Sequence, residues 1–264
     1  MRVLSLGAGV QSTTLALMAK HGEAPMPDFA IFADTGWEPQ AVYTHVNWLG
    51  TVLPFEIHII GSRSIRTDIL KASNPDELTR FASVPFYTDD GGMGRRQCTR
   101  EFKIEPITRH LRRWAYGLRK GERFRPPRAK AEMLIGISTD EAVRMKPARE
   151  KWQVNRWPLI ESNMSRGDCL NWLQKKGYPI PGKSSCIGCP YHDDRLWIEM
   201  RDNDPRAWAD AITVDKAIRS GGTMRGMTAK QYMHPSCVPL DEVVFRQDSQ
   251  LDLFQNECEG ICGV

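Results

Sequence analysis

Short apolar runs alternate along this chain with stretches whose apolar residues recur at helical spacing. Arg2-Val-Leu-Ser-Leu6 is the first run, strand-forming and too short for a helix. Gly7-Ala8-Gly9 breaks it, and Val10, Leu15 and Met18 then mark a helix face. Asp28 to Asp34 is a second buried-strand pattern, and Pro39 to Leu49 reads as a helix with proline in its first turn. Phe55 to Ile60 and Ala131 to Ile137 predict the third and fourth strands. This β-α-β-α-β order implies an α/β fold with a doubly wound parallel sheet and right-handed crossovers.

Between these strands, residues 61–102 are less regular, with a flexible turn at 89–94. Arg95 to Arg100 runs into a helix that passes through Lys103, Glu105 and Arg109 to Trp114. Ser138 or Thr139, with an acid downstream, suits a helix cap. Ser165 is an N-cap for a helix over Arg166–Lys176 that Gly177 ends. Helical patterns follow near Asp193–Arg201 and Pro205–Arg219, and the tail to Val264 reads as loop. The expected organisation is residues 1–160 as the α/β domain, with 161–264 as a helical, cysteine-rich region packed on it.

The strand ends carry the first candidate chemistry. A strand, a Gly-rich turn and a helix N-terminus make an anion site, because unpaired backbone N–H groups and the positive end of the helix dipole converge there. Ser12, Thr13 and Thr14 add hydroxyl donors. The loop lacks the Gly-Lys-Ser/Thr of a Walker A motif, and Ser12 breaks a full Gly-x-Gly-x-x-Gly. On these residues alone, a phosphate site and an ordinary buried turn stand level. Asp34-Thr35-Gly36 delivers a carboxylate to the sheet's carboxyl edge, where ligands of open α/β sheets sit.

Cysteine usage supplies the second. The chain has 264 residues, 41% hydrophobic and 26% charged, with seven cysteines. No apolar stretch approaches a membrane span, and the first residues lack a signal peptide's apolar core, so a cytoplasmic protein is expected. In that setting cysteines point to metal or redox chemistry more than to disulfides. Cys186-Ile-Gly-Cys189 lets both sulfurs face one centre. Cys98 lies among Arg95, Arg96 and Arg100, which favour a thiolate. Cys258 and Cys262 form another close pair, whereas Cys169 reads as a small core residue. Three readings stay open: a [4Fe–4S] cluster on Cys98, Cys186 and Cys189, with Cys262 or Cys258 as fourth ligand or with an open iron; a structural Zn²⁺, with His192 a candidate ligand; and a redox dithiol at Cys186 and Cys189.

The net charge is a mild +4, but residues 117–130 (GLRKGERFRPPRAK) are strongly basic. They are either a solvated loop or a surface for tRNA, DNA or a polyphosphate.

Together these stretches resemble the phosphoadenosine phosphosulfate reductase family, within the PP-loop ATP pyrophosphatases (adenine nucleotide alpha hydrolases). Gly7 to Ser12 matches the PP-loop, and Asp34-Thr35-Gly36 the acid after the second strand. Arg100 to Pro106 resembles the basic segment beside the family's cysteine, and Gly136 to Glu141 with Arg144 its Gly-x-Arg-x-x-Glu-Ser stretch. Glu257-Cys258 is similar to the C-terminal Glu-Cys-Gly segment. The likeness departs from the common Ser-Gly-Gly-x-Asp-Ser loop at Gly7, Ala8 and Gln11, and the tail lacks a histidine.

The resemblance implies a Rossmann-like, HUP-type fold with a cysteine-bearing C-terminal extension. It implies a site for ATP or an adenylylsulfate on Gly7, Ala8, Gly9, Gln11, Ser12, Asp34, Gly136 and Arg144. Mg²⁺ would neutralise the phosphates, and Lys103 and Arg100 would steady them. Two activities follow: adenylylation of an acceptor with sulfur transfer through an iron–sulfur cluster, or sulfite release with Cys258 as nucleophile and a thiol donor. A non-catalytic, metal-stabilised nucleotide-binding module is the third expectation, and a homodimer the default assembly.

Overall fold

A computed structural model describes residues 1–61, 63–74, 83–126, 130–220 and 229–246. Its centre is a five-stranded sheet, all parallel, of β1 (Arg2–Ser5), β2 (Phe29–Ala33), β3 (Ile57–Ile60), β5 (Ala131–Ile135) and β6 (Gln153–Arg156). The order is β3-β2-β1-β5-β6, with Val3 opposite both Phe29 and Met133. This is the expected doubly wound arrangement, and every residue of β2 is buried, as its continuous apolar run requires. β6 went unforeseen in the sequence because QVNR at a sheet edge has no apolar run.

Helices cover both faces. On one, α1 (Val10–Lys20), α2 (Gln40–Val52) and α6 (Arg166–Lys175) bury Leu15, Leu17, Val46 and Leu173 against Leu4, Phe32 and Leu134. Cys169 is fully buried there, as its neighbours in sequence suggest. α6 starts with a complete capping box: Asp168 N donates to Ser165 Oγ (3.1 Å), and Ser165 N donates to Asp168 Oδ2 (2.9 Å). The other face carries one long helix from Thr99 to Ala115, whose Ile107 and Leu111 pack on Val3, Ile31 and Met133. Its middle, α4 (Glu105–His110), is an α-helix, but Thr99–Ile104 and Leu111–Ala115 are π-helical. Pro106 accounts for the first: it has no N–H to give Phe102, and its ring crowds that carbonyl, so the turn widens.

A second apolar cluster lies beyond the sheet. α3 (Ile65–Ala72), α7 (Asp194–Asn203) and α8 (Pro205–Ser220) meet there around Trp197, Phe86, Ala211 and Met233. It draws on residues from both sides of position 160. α3 was hidden in the stretch read as irregular. A two-stranded antiparallel ribbon, β4 (Tyr87–Thr88) with β7 (Gln231–Tyr232), gives the later segment more order than a loop. α5 (Pro158–Glu161) is one short turn. Ser138 leads only a 3₁₀ turn over Thr139–Arg144 and makes no side-chain cap bond.

Candidate functional site

The loop from Gly7 to Gly9 joins β1 to α1 at the sheet's carboxyl edge. Gly9 begins α1 with no side-chain cap, and the first turn holds no acid. Its N–H groups are therefore left for a ligand. Ala8 stands where the resembled loop has glycine, and its φ is +62°, in the left-handed region glycine favours. Position 8 thus adopts a glycine-like backbone despite its methyl group. Gly7 is held from behind: buried Ser184 donates its hydroxyl to the Gly7 carbonyl. Gly136 closes the loop's other side, packed on Ser12 so tightly that a Cβ would lie 2.8 Å from Ser12 N.

Gln11 has a different task from the one its place in the loop suggests. It is buried, and its side chain donates to Glu141 Oε2 (3.1 Å) and accepts from Arg166 Nη1 (3.0 Å). Glu141 in turn pairs with Arg144. Gln11 therefore ties α1 to the 138–144 turn and to α6, where an aspartate could not both donate and accept.

Beside this loop opens a cleft of about 730 Å³, lined by Ala8, Glu38, His45, Lys183, His192 and Arg206 among others. His45 bonds Thr13 Oγ1 (2.9 Å), and burial pushes its pKa down to about 4. His192 is buried against Trp197, bonds Ser185 Oγ (2.8 Å), and burial pushes it down to about 3. Both rings are neutral at pH 7. The fixed cations of the cleft are Lys183 and Arg206.

The loop 34–38 connects the cleft to the cysteines. Asp34 Oδ1 accepts from Gly36 N (2.7 Å) and Tyr43 OH (2.9 Å), which holds the carboxylate at the sheet edge. Thr35 Oγ1 bonds Glu38 Oε1 (2.9 Å) and lies 3.1 Å from Cys186 Sγ. Ile187 N donates to Trp37 O (2.9 Å). Trp37 and Glu38 escaped the sequence reading, although a tryptophan and an acid directly after a strand-end Asp-Thr-Gly were a signal to follow.

Cys98, Cys186 and Cys189 line one small cavity of about 30 Å³, together with Arg96 and buried Lys103. Arg96 also stacks on Tyr191 (5.0 Å). Two cations stabilise any negative charge that develops on those sulfurs. Cys98 and the Cys186–Cys189 pair, far apart in sequence, thus share one cavity. Among the described residues, however, no three His, Cys, Asp or Glu side chains are arranged to hold a metal ion. The described residues alone do not complete a site for a cluster or for zinc. Cys258 and Cys262 lie outside the described residues.

Arg100 is not brought to this site. It is two-thirds exposed, paired with Glu105 (2.8 Å), and lines a separate cleft on the helix's outer side. In a π-helix, residues three apart no longer share a face, so Lys103 turns to the cysteines and Arg100 away from them. The site thus brings together Gly7, Ala8, Gly9, Ser12, Asp34, Lys103, Gly136 and the three cysteines, with Gln11 and Arg144 in the wall behind.

No helix among the described residues is long and apolar enough to cross a membrane. No protein-family model matches the chain, and no curated protein matches it either. Among solved structures, the chain is similar to the phosphate complex of phosphoadenylyl-sulfate (PAPS) reductase from Candida auris. The identity is 16% over 70% of this chain and 79% of that one, with a TM-score of 0.45.

Proposed function

We propose that this protein is an adenine-nucleotide enzyme of sulfur chemistry, in which the α1 N-terminus binds nucleotide phosphates and the adjacent cysteines act on the activated group. One observation carries the reading: the 34–38 loop lines the cleft beside Ala8 through Glu38 and bonds Cys186 through Thr35. The motif resemblance to PP-loop enzymes agrees with it.

In the favoured reaction, an acceptor oxygen attacks the α-phosphate of ATP. An adenylate forms, pyrophosphate leaves, and a sulfur nucleophile then displaces AMP. The first-turn N–H groups of α1 and the Ser12 hydroxyl hold the departing phosphates by charge-assisted bonds. Lys103 lies beside the cysteines, where it steadies negative charge on sulfur or phosphate. Asp34 offers the carboxylate suited to a phosphate-bound Mg²⁺ ion, which would neutralise charge at the γ and β oxygens.

The alternative is reduction of an adenylylsulfate, with Cys258 attacking the sulfonyl sulfur and an external thiol releasing sulfite. Both rest on the same phosphate site and differ in product. Anaerobically purified protein given ATP with acceptor fractions, or adenylylsulfates, separates them. Pyrophosphate release lost in Ser12→Ala supports the first. Sulfite release lost in Cys258→Ser supports the second. Nucleotide binding with neither product leaves a binding module. A brown protein with broad visible absorbance would bring the cluster back, on Cys98, Cys186 and Cys189 with Cys262 or Cys258, and zinc content on colourless protein would bring back the zinc reading.

A further inference from the structure

A second cleft, of about 670 Å³, runs along the outer side of the Thr99–Ala115 helix and takes no part in the chemistry above. Arg100, Ile104, Thr108 and Arg112 form one stripe along it, and Arg109 and Arg113 flank them. The loops 118–122 and 146–150 supply Arg119, Lys120, Lys146 and Arg149. Eight cationic side chains thus face three carboxylates, an excess of five positive charges. Two of the carboxylates are tied down, Glu105 to Arg100 (2.8 Å) and Glu150 to Arg112 (2.7 Å). Six of the eight cations are arginines, whose planar fork matches phosphate oxygens in pairs.

The rest of the lining mixes polar residues (Thr108, Gln153 and Asn155) with apolar ones. Ile104, Leu118, Pro147 and Ala148 offer flat, uncharged contact between the cations. An inorganic phosphate presents charge alone to that combination, whereas a nucleic-acid strand presents both a charged backbone and flat bases, and phosphate oxygens suit the arginine forks. At 1.5 Å per residue, the helix from Arg100 to Arg113 spans about 20 Å. That length matches roughly six phosphates of one strand at 3.4 Å each.

We propose that this cleft binds a single-stranded nucleic acid. Its Arg100 end lies on the helical turn whose inner face carries Lys103 to the cysteine cavity. The binding stands independently of the proposed function.

The test is fluorescence anisotropy of the full chain with a labelled 12-nucleotide single strand, as RNA and as DNA, at 50 and 200 mM salt. With about four phosphates contacted, the affinity falls roughly 50-fold between the two salt concentrations. Arg109→Glu with Arg113→Glu, both exposed, weakens binding at least tenfold. Lys175→Glu with Lys216→Glu, the same charge change placed on α6 and α8, weakens it less than threefold. Equal losses in the two double variants, a duplex bound as tightly as the strand, or full competition by tripolyphosphate at equal phosphate concentration would each overturn the proposal. Strand binding without any nucleotide product would sink the enzyme reading and keep the cleft. Pyrophosphate release without strand binding would do the reverse.

Discussion

Gly136→Ala probes the phosphate loop without touching any group that could do chemistry. A Cβ there meets Ser12 N and Ser12 Cα at 2.8 Å and Gln11 C at 3.1 Å. All three are backbone atoms, so no rotamer change relieves the clash. Gly136 is not among the residues with positive φ, so alanine adopts its backbone freely and the penalty is contact alone. Overpacking of this kind costs about 1–3 kcal/mol. The stiffer unfolded chain returns about 0.4–1 kcal/mol. The net loss is about 1–2 kcal/mol, or roughly 2–8 °C in Tm for a domain of this size. The shift also moves the Ser12 N–H off the anion position, where about 1.4 kcal/mol is a tenfold loss of affinity. Calorimetry gives Tm, and titration with ATP or pyrophosphate gives binding. Gly167→Ala is the matched control: its Cβ meets only Ser165 Oγ at 3.6 Å, and alanine in a helix gains about 0.5 kcal/mol. If Gly136→Ala melts with the wild type and binds pyrophosphate equally well, the loop does not depend on this contact and the reasoning fails.

Position 8 gives a second test. Ala8→Gly exchanges relief of left-handed strain, about 1 kcal/mol, against similar unfolded-state entropy, so Tm stays within about 2 °C. Ala8→Val puts a β-branched residue at φ +62° and lowers Tm well beyond that, measured in the same melts. Ser184→Ala removes the donor to the Gly7 carbonyl and costs about 1–3 kcal/mol by urea unfolding, with weaker pyrophosphate binding; an unchanged midpoint would remove Ser184 from the loop's support. His45 is neutral when folded, with its pKa pushed down to about 4, while the unfolded ring protonates near its ordinary 6.5. The unfolded state therefore binds more protons between those values, and stability falls as pH drops from about 6.5 towards 4. His45→Gln should flatten that part of a Tm-against-pH curve, and an unaltered slope would acquit His45.

The sheet was legible because buried parallel strands are continuous apolar runs, and four of the five strands have one. The cysteine cavity was legible as a residue set, since Cys98 and the Cys186–Cys189 pair stood out by charge and spacing. Its geometry was not, because Pro106 rewinds the helix and reverses the expected partnership of Arg100 and Lys103. Gln11 was read as a ligand because of its position in the loop. Only the fold shows that its donor and acceptor are both taken by residues more than 120 positions away. Trp37 and Glu38 were missed for the same reason: their contacts are with segments that approach only in the folded chain.

β1 lies at the centre of the sheet, and its partners are far apart in sequence. β2 follows closely, but Arg2 meets Glu132 across 130 residues. During translation at about 5–20 residues per second, β1 therefore waits roughly 7–26 s with one edge open. The phosphate loop at its tip has no Gly136 to close it until β5 arrives. A bare strand edge is a template for wrong pairing, so expression at a lower temperature, or with more chaperone, should raise the soluble yield of this chain more than any surface substitution would.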